Sequence, residues 1–170
     1  MDRQLRSFIT GLGVVFALLM GVTNPLQAKD LTTRLGIGYR DQFAVGLPSI
    51  AVQYYPNPKL GLGAALGVDT ESDRSRFGVS VKVARIIYME TNLNFYMGTS
   101  VALISTSVSS GKNESGFELN GIIGCEYFFA GLENLGFTFE TGVGVRSISS
   151  GVNFRTFGDH PIKGGIIFYF

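Results

Sequence analysis

The side chains with the widest chemical range are few and scattered. His160 is the only histidine and stands in Gly158-Asp159-His160-Pro161, with Ser147, Ser149 and Ser150 shortly upstream. A histidine activates a serine only within hydrogen-bond reach and with a third group orienting its far nitrogen. Asp159 is merely the chain neighbour, so the stretch reads as a solvated loop. Cys125 is the single cysteine, which excludes an internal disulfide and a thiolate metal cluster. Gly61-Leu62-Gly63 with Gly67 has the glycine density of a phosphate loop, yet no helix follows to present its N–H groups. Asn113-Glu114-Ser115 has the form of a glycan acceptor and nothing more. No catalytic residue, metal site or cofactor is expected.

Charges at alternate positions are more regular. Arg34, Arg40, Asp69, Glu118, Glu126, Glu140, Arg146 and Lys163 all fall on the small or polar parity of runs that alternate with period two. Pairing the sixth and seventh runs about a turn centred near Glu133 puts Glu126 opposite Glu140 and Asn120 opposite Arg146. Two carboxylates facing each other in a dry interior need a cation between them or a retained proton. Arg34 lies at a similar distance along the first run, so its guanidinium is expected to bridge the two acids. Glu118, Arg40, Arg146, Lys163 and Asp69 form a second layer further along. Paired acids also suit general acid–base catalysis, but a plugged interior admits no substrate.

Eight alternating runs position these charges: 31–40, 49–55, 60–69, 76–88, 93–104, 117–128, 136–148 and 162–170. The third shows the pattern plainly, with Leu60, Leu62, Ala64, Leu66 and Val68 set against Gly61, Gly63, Ala65, Gly67 and Asp69. Runs of about ten residues with this period suit strands that cross a membrane. The chain has 23 Gly, 14 Phe and 7 Tyr, and no run after the first 28 residues sustains a helical period. One face of each run carries almost no charge. The other is Gly, Ala and Ser with a few charges, a poor water-facing surface but a good filling for a narrow barrel. Leu62, Val81, Val101 and Phe139 are therefore expected to face lipid. Arg85 breaks the pattern on the apolar parity of the fourth run; either it snorkels near the interface or a bulge near Ala84 resets the register, and the bulge is favoured.

Connections alternate too. Those at 56–59 and 89–92 are short and 129–135 is moderate. The segments 41–48, 70–75, 105–116 and 149–161 are mostly longer and more polar. Tyr54, Tyr88, Phe95, Tyr127, Phe129, Phe137, Phe168 and Phe170 gather at the short-turn ends, with Tyr39, Phe77 and Phe117 at the other, as two interfacial girdles. The expected fold is all-β: an eight-stranded antiparallel up-and-down transmembrane β-barrel.

Residues 1–28 have the three parts of a secretory signal peptide: Arg3 and Arg6, an apolar run from Phe8 to Val22, then a break ending at Ala28. Cleavage after Ala28 leaves 29–170 as one barrel domain. Arg3, Arg6 and Asp2 leave with the leader, so 12 basic and 12 acidic side chains remain and cancel. No nucleic acid or acidic partner is indicated. The chain ends on Phe170, with Phe168 and Ile166 at alternate positions before it.

With these features the sequence resembles the small eight-stranded bacterial outer-membrane barrels of the OmpA transmembrane-domain and OmpX type. The terminal row Phe170, Phe168, Ile166 resembles the C-terminal signal that the barrel assembly machinery of that membrane reads. The segment from Glu126-Tyr127-Phe128-Phe129 to Glu140 looks like a hairpin of such barrels. The resemblance implies an outer-membrane location, lipids and the assembly machinery as partners, and a non-enzymatic role, structural or through loop contacts outside the cell. The alternatives are a lipid-modifying enzyme or a narrow passage for solutes or ions. The His-x-Ser pattern of lipid A deacylases is missing, because Pro161 and Ile162 follow His160. No peptidoglycan-binding domain follows Phe170, so an anchoring role of that kind is not expected.

Overall fold

The computed structural model describes residues 29–43, 46–71, 74–108, 112–148, 151–156 and 162–170. The expected leader 1–28, its cleavage position, and Ser149, Ser150, Asp159 and His160 lie outside them.

Among the described residues nine strands form one antiparallel wall: β1 (Leu35–Asp41), β2 (Pro48–Asn57), β3 (Leu60–Thr70), β4 (Arg74–Glu90), β5 (Leu93–Val108), β6 (Lys112–Phe128), β7 (Leu135–Ile148), β8 (Gly151–Thr156) and β9 (Lys163–Tyr169). Each strand from β1 to β7 pairs with the next, and β9 closes the barrel between β7 and β1. The eighth wall position is shared by two strands. The first half of β7 pairs with β9, from Leu135–Phe168 to Glu140–Lys163. Its second half pairs with β8, from Val143–Thr156 to Ile148–Gly151. The architecture is the expected eight-stranded up-and-down barrel, with the last strand in two pieces.

Alternation decides which way the wall faces. Ile37, Ile50, Leu66, Val81, Leu103, Leu119, Phe139 and Phe168 are exposed on the outside. Gln53, Ser80, Lys82, Ser100, Glu118, Glu126 and Glu140 are buried inside. A continuous apolar exterior over a polar interior is the inverse of a water-soluble barrel and suits a lipid solvent.

Three expectations of strand placement are corrected. Residues 31–34 turn under the barrel, with Thr33 at φ 63°, so the first strand starts at Leu35. Within the segments 105–116 and 149–161, expected as loops, residues 105–108, 112–116 and 151–156 are strand: β5 and β6 stay paired up to Val108–Lys112, and β8 continues the β7 hairpin. Arg85 keeps the outward parity of its strand, opposite Leu60 and Met97. The irregularity in β4 falls between Ile86 and Tyr88, one residue beyond it. The guanidinium therefore sits at the short-turn rim, where a long side chain reaches the interface.

Candidate functional site: the charged lumen

Among the described residues six charged side chains are buried in the barrel: Arg40, Lys82 and Lys163 against Glu118, Glu126 and Glu140. Opposite charges balance, which is the condition under which burying them is tolerable. Their strands hold them inward through simple parity. Arg40 follows Gly36 and Gly38 on β1, and Lys82 follows Gly78 and Ser80 on β4.

Glu140 is the centre of one layer. Lys82 Nζ donates to its Oε1 at 2.5 Å and Tyr96 Oη donates to the same atom at 2.6 Å. Arg40 Nη1 stands 3.7 Å from it and donates to Gln53 Oε1 at 3.3 Å. Lys82 also lies over the Tyr96 ring, 5.1 Å from its centroid. Glu126 is the centre of a second layer of a different kind. Its two oxygens accept from neutral phenols, Tyr55 Oη at 2.8 Å and Tyr169 Oη at 2.6 Å. Gly136 leaves room for this carboxylate, since a Cβ there would lie 2.6 Å from Glu126 Oε1.

Several charges of the expected network take other partners than those expected. Glu126 lies opposite Thr138 and Glu140 opposite Gly124, so the two acids are not cross-strand partners. The hairpin register differs by two residues from the expected one, and Glu118, not Asn120, faces Arg146. Arg34 stays outside the lumen at the short-turn mouth, donating to Asn134 Oδ1 at 2.7 Å and to Tyr169 O at 3.4 Å. It does not bridge the acids; Arg40 and Lys82 take the cationic role at Glu140. Lys163 Nζ donates to Gln42 O at 2.7 Å, and Asp69 is paired with Arg76. Lys82 is not among the charges expected in the network, although it is the one charge amid Gly78, Ser80 and Ala84 on the inward parity. Tyr55, Tyr96 and Tyr169 are likewise absent from it, although their hydroxyls suit them as inward partners for acids.

The loop end of the lumen is capped from within. Phe43 and Leu47, in the β1–β2 connection, are buried against Ala102 and Ile104. They rest on Gly67 and Gly78, which face each other across β3 and β4. A Cβ would lie 2.7 Å from Leu47 Cγ at Gly67 and 2.9 Å from the Phe43 ring at Gly78. The glycine pair is a notch in which the cap sits. Among the described residues no group of three His, Cys, Asp or Glu is arranged to hold a metal ion.

No protein-family model matches the sequence, and no curated protein matches it. Among solved structures, the crystal structure of the N-terminal β-barrel domain of Pseudomonas aeruginosa OprF is similar, with a TM-score of 0.58 at 14% identity. The match covers 82% of this chain and 98% of that one. The fold is that of an OmpA-type eight-stranded barrel. At this identity the likeness to the OprF domain extends to the course of the wall alone.

Proposed function

We propose that the chain is a closed, non-enzymatic barrel of the bacterial outer membrane, exported by the leader in residues 1–28. It serves the envelope as a structural element and presents its upper hairpins for contact outside the cell. The observation that carries this reading is the filled lumen: charge layers around Glu140 and Glu126, with Phe43 and Leu47 capping one end. Such an interior leaves a substrate no route to the acids, and it opposes steady ion flow. The apolar exterior and the OprF-like fold support the location. The strands support the contact role, because β4, β5 and β6 run from 16 to 17 residues where about 9–11 span the hydrocarbon. Outward residues above the girdle turn polar, as at Ser105, Ser107 and Ser115.

Expression in a Gram-negative host tests the reading. The protein is expected in the denser outer-membrane fraction, with heat-modifiable migration in gels, and lipid A masses are expected to be unchanged. In planar bilayers the purified protein should show no steady conductance. A stable open channel, or a new lipid A species dependent on the protein, overturns it.

A further inference from the structure

We propose that residues 29–34 form a strap that stoppers the inner mouth of the barrel, the end with the short turns, and clasps the closing seam between β1 and β9. Leu31 is 3% exposed, although it precedes the first strand, and it belongs to the buried cluster of Tyr55, Phe128 and Tyr169. Two of those residues are the phenols that hold Glu126. The leucine therefore seats directly against the layer that closes this end of the lumen.

The strap's backbone is shaped for that position. Asp30 Oδ1 accepts from Thr32 N at 2.9 Å and from Thr32 Oγ1 at 2.5 Å, an Asx-turn that starts the bend. Arg34 N donates to Leu31 O at 3.0 Å and completes it. Thr33 takes φ 63°, a left-handed conformation unfavourable for a β-branched residue. Strain of that sort persists only where surrounding contacts enforce it. Here Thr33 N donates to Tyr55 O at 2.7 Å, which fixes the bend to the end of β2.

Two side chains fasten the flanks. Lys29 Nζ pairs with Glu133 Oε2 at 3.1 Å and lies 5.7 Å from the centroid of the Phe128 ring. Arg34 holds Asn134 Oδ1 and Tyr169 O. The strap thus reaches the end of β2, the β6–β7 turn and the end of β9, three points around one mouth. This goes beyond the function proposed above: every contact lies within the chain, and it holds whatever membrane surrounds the wall.

The test is access to Phe128, which is 1% exposed beneath the strap. In the full chain purified from membranes, Cys125→Ser removes the native thiol and Phe128→Cys places a reporter. Labelling by a positively charged methanethiosulfonate is expected to be slow. It should accelerate by about tenfold or more with Leu31→Ser, as loss of one buried leucine implies. Heat-modifiable migration confirms that each variant is folded. Unchanged slow labelling after deletion of 29–33 in a folded barrel overturns the proposal, as does fast labelling with the strap intact. Should Phe128→Cys not fold, hydrogen exchange of the Thr33 amide in the unsubstituted chain decides. Slow exchange supports the strap, and exchange at the rate of a free chain refutes it.

Discussion

Glu126 and Glu140 are both buried acids, yet they should respond very differently to losing their charge. Glu140 neutralises Lys82 at 2.5 Å and stands near Arg40. Glu140→Gln strands two cations in the lumen, and breaking a buried pair in this way costs about 3–5 kcal/mol. Glu126 accepts only from phenols, which rotate to meet an amide oxygen, so Glu126→Gln should cost nearer the roughly 1 kcal/mol of an ordinary hydrogen bond. Urea unfolding in bilayers measures both, and equal costs would contradict the assignment of roles. Adding Lys82→Met to Glu140→Gln should recover part of the loss. The direction of each of these side chains was legible in the sequence, because parity fixes the face. The partners were not. Lys82 and Glu140 lie 58 residues apart and meet across the lumen, and the alternation within a strand carries no information on height around a closed, tilted wall.

Strand identity was legible where one face meets apolar surroundings and the other does not. Period two then stands out, as in β3 and β4. It vanishes where water bathes both faces, which is why 105–108, 112–116 and 151–156 read as loops although hydrogen bonds pair them. Turn length misled the register in the same way. The β6–β7 pairs centre on 132, as in Glu126–Thr138, and not near 133 as the sequence pattern suggests. One residue of error at the turn becomes two across the hairpin. Outward positions in the middle of the strands carry the clearest prediction at this scale. Val81 is 58% exposed on the exterior, and Val81→Arg should cost about 2–4 kcal/mol if it lies near the membrane midplane. Ala64, its partner on β3 and also exposed, should be similarly intolerant. Refolding into bilayers of defined thickness gives the comparison. Tolerance of arginine at both positions would mean that this face does not meet hydrocarbon.

For the whole molecule, closure is the step on which everything else depends, and it is made by the shortest pairing in the wall. β9 pairs with β1 only from Gly36–Tyr169 to Arg40–Gly165, with Leu35 and Phe170 exchanging the final hydrogen bonds at 3.4 and 3.0 Å. Deleting Phe170 removes that rung and the last member of the apolar row Ile166, Phe168 and Phe170. We expect it to abolish assembly of the heat-modifiable form in cells, and normal levels of inserted protein would refute this. The same short seam sets how the barrel resists force. A tether drawn from the C-terminus meets β9 first, held by short ladders on both sides, whereas β4 and β5 are zipped from Arg74–Val108 to Glu90–Leu93. Under load the last strand should peel at the lowest tension, and the remaining hairpins should then come out in pairs, each as a separate step on the extension trace.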